Sequence, residues 1–196
     1  MKKNLPSKHS LKTTLVTVIL FALLSGNAFA QQAKTDSARM NPVATPSTAA
    51  PKSYPRAVGY LSFIIPVVVV DKNTTTWDFN GTTKIGFPVG VNVLYSDHFG
   101  FSYEFTPTIT ATKASSKVSN LLFDPGVMFR FEHGFTFIPR LAFETGGRYG
   151  FTPVFNQVYA RTKYVNYFIA GSLPARFGNG APASIGFNVQ LGFTFN

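Results

Sequence analysis

Residues 99–112, FGFSYEFTPTITAT, alternate without a break. Phe99, Phe101, Tyr103, Phe105, Pro107, Ile109 and Ala111 take one parity, and Gly100, Ser102, Glu104, Thr106, Thr108, Thr110 and Thr112 take the other. A β-strand turns successive side chains to opposite faces, so the segment reads as a ribbon with one apolar and one polar surface. The same period returns from residue 57 onward, and no window sustains a helical period. It predicts strands over 57–70, 82–95, 99–112, 119–131, 135–147, 151–159, 164–177 and 184–195. The breaks SDHF, EHG and ARTK are tight, whereas DKNTTTWDFNGT, KASSKVS and GNGAPA are longer, as expected of an antiparallel meander with turns at one end and loops at the other. Counting 151–159 as a strand gives an even number, which returns both termini to one end of a barrel. Strands of about twelve residues at roughly 3.3 Å each, tilted by about 40°, climb on the order of 30 Å, the height of a bilayer core.

Which face points outward decides the class. In 184–195 Ile185, Phe187, Val189, Leu191, Phe193 and Phe195 oppose Ser184, Gly186, Asn188, Gln190, Gly192 and Thr194. The charged residues of the expected strands, Lys84, Glu104, Asp124, Arg130, Arg140, Glu144, Arg148 and Arg176, all fall on the polar face. A soluble lipocalin-like barrel would turn the apolar face inward around a ligand; a membrane barrel turns it toward lipid. The apolar faces are crowded with Phe and Tyr, too bulky to line a narrow eight-stranded barrel, while the polar faces are rich in Gly, Ser, Thr and Asn. Residue size therefore predicts an all-β, eight-stranded antiparallel up-and-down transmembrane β-barrel over 57–196.

The first thirty residues carry four lysines, the apolar run LVTVILFALL and the small-x-small triplet Ala28-Phe29-Ala30. This is the pattern of a secretory signal peptide cleaved near Ala30, and ten apolar residues are too few for the roughly twenty of a membrane-spanning helix. Residues 31–56, with four prolines among many Ala, Ser and Thr, read as a disordered periplasmic tether. The chain contains no cysteine, which excludes disulfides, thiolate metal sites and a lipoprotein anchor. Removing the signal leaves fourteen Lys and Arg against eight Asp and Glu, so the net charge falls from +10 to about +6. For an exported protein that excess suits anionic lipid headgroups better than nucleic acid, and no nucleic-acid partner is expected.

At this point the chain resembles the small outer-membrane β-barrel proteins of diderm bacteria, the OmpA/OmpX/OmpW type and their uncharacterised Bacteroidetes members. The resemblance covers roughly residues 57–196. Its most specific motif is the aromatic-alternating last strand IGFNVQLGFTFN, which in such proteins is read by the barrel-assembly machinery; here Asn196 follows Phe195, where the family usually ends on the aromatic itself. The resemblance implies location in the outer membrane, contact with its lipid, and a structural or surface-interaction role, or else a narrow channel for small solutes.

Interior chemistry is expected from Glu104, Asp124, Arg130, Arg140, Glu144 and Arg148, read as a salt-bridge network that fills the lumen, because charges inside a narrow barrel must be paired. Phe99, Phe101, Tyr103, Phe105, Phe187, Phe193 and Phe195 are expected to face lipid. No catalytic, cofactor or metal site is expected. His9 leaves with the signal and His98 and His133 fall in tight turns, so no histidine is placed to act as a base, and no carboxylate cluster has metal-ligand spacing. Trp77 in the first long loop reads as an interfacial anchor. Pro66, Pro88, Pro107, Pro125, Pro139, Pro153 and Pro174 lie within expected strands and should mark bulges or strand ends.

Overall fold

The protein was analysed as a computed structural model that describes residues 53–195. The signal peptide with its cleavage near Ala30, and the tether as far as residue 52, lie outside the described residues. From residue 56 the alternating segments form eleven strand segments: β1 (Arg56–Asp71), β2 (Thr75–Trp77), β3 (Thr82–Gly86), β4 (Val89–Leu94), β5 (Phe99–Thr112), β6 (Ser116–Arg130), β7 (Phe135–Glu144), β8 (Arg148–Arg161), β9 (Val165–Ser172), β10 (Ala175–Gly178) and β11 (Ser184–Phe195). Every pairing is antiparallel, and the sheet closes on itself where β11 pairs with β1 in the register Tyr60↔Thr194 to Asp71↔Ser184. The described residues are therefore an all-β antiparallel barrel.

Eleven segments rather than eight continuous strands is a correction with a definite cause. The expected strand 82–95 is split at Phe87-Pro88 into β3 and β4, which both pair with β5, and 164–177 is split at Leu173-Pro174 into β9 and β10, which both pair with β8 and β11. Proline has no N–H to give to a ladder, so each split falls where a donor is missing. The third addition, β2, is a short return in the loop after β1, with Val68↔Trp77 in register. Taken as continuous staves, β3–β4 and β9–β10 each fill one place in the ring, and the ring has eight. The stretch 151–159 belongs to a full strand of 14 residues.

The other prolines also sit at irregularities. The β1–β11 register shifts between Pro66 and Val68, and the β5–β6 register shifts just after Pro107, between Thr108 and Ile109. Pro139 lies opposite Pro153, and the β6–β7 ladder skips the residues around Pro125 and Pro139. The ends of the barrel differ less than expected. β6 starts at Ser116, so KASSKVS, read as a longer loop, shrinks to the short turn 113–115, and β7 ends at Glu144, short of the expected 147, leaving a second short turn at 145–147; 72–81 and 179–183 remain the long ones. The turn at Glu132–Gly134 is a 3-10 turn with His133 at φ 60° and Gly134 at φ 84°, and it sets Phe129 opposite Phe137 and Arg130 opposite Thr136.

The strand faces separate cleanly. On β5, Gly100, Ser102, Glu104 and Thr106 are buried while Phe99, Tyr103 and Phe105 are exposed, and mid-wall Leu141 on β7 is 58% exposed. The apolar faces point out of the barrel and the polar faces point in. The inside is not polar throughout, however. Val58, Leu94, Met128, Ile138, Val154 and Phe168 share the inward parity and pack with Tyr60 and Ala170 into the hydrophobic cluster of the barrel, in the half nearer the tight turns. Two glycines let bulky inward groups lie against the wall. A Cβ at Gly90 would run into the Tyr60 ring, and one at Gly126 would meet the Arg140 side chain and the Pro139 carbonyl. Gly90→Ala should accordingly lower stability by about 1–3 kcal/mol, the usual cost of overpacking. Gly171→Ala, whose Cβ would make only an ordinary contact with Phe187, should unfold at nearly the wild-type midpoint; urea titration of the detergent-folded protein checks both variants.

Candidate functional site

Glu104 from β5 and Arg140 from β7 meet across the lumen with Nη1 and Oε2 2.6 Å apart, both side chains almost wholly buried. One strand, β6, lies between them in the wall, and the narrow bore brings their side chains into contact. The Tyr60 hydroxyl donates to Glu104 Oε2 at 2.7 Å, Thr106 Oγ1 donates to Oε1 at 3.2 Å, and Gln190 Nε2 reaches Oε2 at 3.4 Å while also donating to Ser62 Oγ at 2.8 Å. Arg140 Nη2 donates to the Tyr60 hydroxyl and to Ser102 Oγ, each at 3.0 Å. Side chains from β1, β5, β7 and β11 thus converge on one carboxylate. Charge-assisted hydrogen bonds of this kind are what make a buried ion pair tolerable.

A second cluster lies nearer the long loops. Arg176 on β10 pairs with Glu144 on β7, Nε to Oε1 2.9 Å, and its Nη1 donates to Thr152 Oγ1 at 2.9 Å and to the carbonyls of Phe151 and Ala175. Arg148 is held by Nη2 donating to the Arg176 and Pro182 carbonyls and to Ser184 Oγ, at 3.0–3.1 Å. Asp124 stands directly opposite Glu104 on β6, buried, and its Oδ1 has no hydrogen-bonding partner within the protein.

Of the six charges read as one network, Glu104 and Arg140 are joined. Glu144 pairs with Arg176, which was placed on the polar face but not in the network. Among the described residues Asp124, Arg130 and Arg148 form no ion pair with the other members. Arg130 sits by the tight turns, where its backbone N–H donates to the His98 carbonyl at 2.8 Å. Tyr60 and Gln190 were missed as partners of Glu104, although both occupy inward parity on strands that flank the closing seam. Of the residues read as outward, Phe99, Tyr103, Phe105 and Phe195 are exposed, and Phe101, Phe187 and Phe193 are half-buried, in part against other outward aromatics such as the Phe99–Phe101 and Phe193–Phe195 edge pairs.

Two cavities flank the Glu104–Arg140 cluster. One of about 250 Å³ lies toward the tight turns and is lined by Tyr60, and one of about 430 Å³ lies toward the long loops and is lined by Glu104, Asp124, Glu144 and Arg176. Arg140, Val154 and Gln190 border both, so the cluster forms the waist between them. Among the described residues no group of three or more His, Asp or Glu is placed to hold a metal ion, and both described histidines lie at the tight turns.

An antiparallel barrel with apolar residues outside and paired charges inside is the class that the fold and this site define. No protein-family model matches the chain, and no curated protein matches it. Among solved structures it is similar to the solution structure of the de novo designed TMB2.3, at 11% identity and a TM-score of 0.42 over 72% of this chain and 94% of that one. It is also similar to a structure from the de novo design of transmembrane β-barrels, at 8% identity and a TM-score of 0.37 over 70% and 93% of the two chains. A third is the outer membrane protein OprG from Pseudomonas aeruginosa, at 8% identity and a TM-score of 0.35 over 71% and 93%.

The two ion pairs should differ in worth. Glu104→Gln leaves the Arg140 guanidinium buried without its counter-charge and should cost about 3–5 kcal/mol, whereas replacing both residues by Met should recover most of that loss. Glu144, 18% exposed, should cost about 1 kcal/mol or less on the same substitution, since water still reaches it. Urea unfolding followed by the fluorescence of Trp77 measures both.

Proposed function

We propose that this chain is a non-catalytic integral β-barrel of the outer membrane of a diderm bacterium, with a structural or surface-interaction role and a lumen largely occluded at its waist. The observation that carries this reading is the inverted polarity of the barrel. Its exposed wall is built of Phe, Tyr, Leu and Val, while Glu104, Asp124, Arg140 and Arg176 are buried inside. In water such a wall would expose a continuous apolar surface far larger than soluble monomers carry; in lipid it is the required one. A lipocalin-type soluble barrel needs the phenylalanine face inside, and that face is outside here.

On this reading Phe99, Phe101, Tyr103, Phe105, Phe187, Phe193 and Phe195 contact lipid, and Trp77, on the short strand near the long loops, anchors at an interface. The aromatic alternation of β11 is the segment through which the barrel-assembly machinery would take up the chain. The absence of catalysis is supported by the position of His98 and His133 at the tight turns, remote from the waist, and by the hydrogen bonds that already occupy Glu104 and Glu144.

Unheated protein in detergent should migrate as a compact form on denaturing gels and shift on boiling, and it should fractionate with the outer membrane. Recovery as a soluble monomer from periplasmic extract would overturn the membrane reading. Within that reading, Leu141→Arg should cost about 2–4 kcal/mol in lipid vesicles, the penalty for a cation near the bilayer midplane.

A narrow channel is the second reading, favoured by the two cavities that meet at a single waist. Planar-bilayer recording separates the two. The occluded barrel should show no steady conductance as wild type and gain it when Glu104 and Arg140 are both replaced by Ala, whereas steady wild-type current would make the channel the correct reading.

A further inference from the structure

Three arginines ring the mouth of the barrel nearer the tight turns. Arg56 opens β1 on the parity of Val58 and Tyr60, and Arg130 closes β6 on the parity of Asp124 and Met128. Arg161, at the end of β8, would point outward if the pairing were regular. The β8–β9 register shifts between Val158 and Ala160, however, and this sets Arg161 opposite Asn166, on the inward parity of Phe168. Its guanidinium lies against the turn that follows Arg130, where a Cβ at Gly134 would run into Nη2. All three arginines line the cavity of about 250 Å³, and no Asp or Glu lines it; Asp97 and Glu132, the acids of the adjacent turns, stay outside. Among the described residues the side chains of these arginines make no ion pair or hydrogen bond with protein atoms. Arg140, which also lines the chamber, is matched by Glu104. The mouth therefore carries three positive charges with no counter-charge in the chamber.

The rest of the accessible lining is mostly polar. The apolar residues that share it, Met128, Ile138 and Phe168 among them, pack on one another and are almost wholly buried, so they offer a hydrocarbon ligand little surface. Asn92, Thr136 and Asn156, from β4, β7 and β8, face the chamber instead, and none of their side chains makes a hydrogen bond with protein atoms. Asn92 and Thr136 are each 8% exposed, and buried polar groups are ordinarily paired. Asn92 Oδ1 is shut away from the chamber, which leaves the amide nitrogen as the group that Asn92 turns to it. A cationic mouth joined to a wall of unpaired amides and a hydroxyl is complementary to a molecule that carries an anion at one end and hydroxyls at the other. We infer that the turn-side chamber is a binding site for a sugar phosphate, its phosphate held by Arg56, Arg130 and Arg161 and its hydroxyls by Asn92, Thr136 and Asn156. A phosphate monoester brings about −1.5 to −2 charges and three strong acceptor oxygens, which guanidinium forks match in paired hydrogen bonds. The free sugar lacks the charge, inorganic phosphate lacks the hydroxyls, and an alkyl phosphate sets a chain against polar groups. The long-loop cavity suits such a ligand poorly, because Glu104, Asp124 and Glu144 stand among its cations.

The site goes beyond the membrane assignment and does not rest on it. The test uses the full chain folded in a polyoxyethylene detergent, which has no sugar headgroup, with folding checked on gels before each titration. The probe is glucose phosphorylated on its primary hydroxyl, and binding is followed by calorimetry. Saturable binding is expected that weakens with added salt, is about tenfold or more weaker for inorganic phosphate and for hexyl phosphate, and is absent for glucose. The variant R56Q/R130Q/R161Q should lose the sugar phosphate about tenfold or more. Arg161→Glu, a single change at an exposed strand end, should weaken it in the same sense and covers the case in which the triple variant does not fold. Asn156→Leu should weaken the sugar phosphate about threefold or more and leave inorganic phosphate unchanged. No saturable binding to the folded barrel, glucose, inorganic phosphate or hexyl phosphate binding as tightly as the ester, or ester binding unaltered in the variants would each overturn the proposal.

Discussion

Closure of the sheet is the constraint on which the rest of this molecule depends. A strand wall in lipid has no water to take up unpaired N–H and C=O groups, so it must have no free edge, and that requires β11 to return to β1. The seam is long, running from Tyr60↔Thr194 to Asp71↔Ser184, and it fixes the register of the ring. Once register is fixed, parity is fixed too, because a slip by one residue would send Glu104 into the outer wall and Phe105 into the bore. The separation of exposed phenylalanines from buried charges is thus a consequence of closure and not an independent feature.

Closing a ring of eight staves leaves a bore that side chains nearly fill. This turns burial of charge from an option into a necessity of space. Glu104 and Arg140 are almost wholly buried, and their desolvation is offset by each other and by Tyr60, Ser102, Thr106 and Gln190. The small residues on the polar faces have the complementary task. Gly90 makes room for the Tyr60 ring and Gly126 for the stem of Arg140, so the waist cluster is specified as much by absent side chains as by present ones.

The alternation in 99–112 and 184–195 was enough to reveal strands and parity, since a half-exposed strand writes its two faces directly into the sequence. Partnership was much less legible. Parity says that Glu104, Arg140, Glu144 and Arg176 face inward, but which carboxylate meets which guanidinium depends on contacts inside the bore between strands next but one in the wall, and no local pattern encodes those. Adjacent-strand reasoning tied the six charges into one network; the bore instead joins β5 to β7 and β7 to β10. Tyr60 illustrates the same limit. In a stretch read as VGYLSFIIP it looks like one more aromatic, yet its parity with Ser62 places its hydroxyl on Glu104. The apolar lumen residues Leu94, Met128 and Ile138 were equally hidden, because each stands among polar, charged or small positions of the same parity.

The prolines bring these threads together. Pro88 and Pro174 interrupt the two staves that flank the closing seam, one beside β1 and the other beside β11. Each keeps its carbonyl in use: Ser62 N–H donates to Pro88 O at 3.0 Å and Gly186 N–H donates to Pro174 O at 2.8 Å. The residue before each proline supplies the donor that the proline cannot, with Phe87 N–H reaching the Pro107 carbonyl and Leu173 N–H the Pro153 carbonyl. Ladder continuity is lost over a residue or two, but the hydrogen bonds around each break are still made. Breaks and bulges let a sheet bend more sharply than regular pairing allows. A pair of them astride the seam, with a register shift at Pro66 between them, concentrates that bending where β1 and β11 must meet. Proline, which weakens a flat sheet, is here placed where a tightly curved wall needs its ladders interrupted.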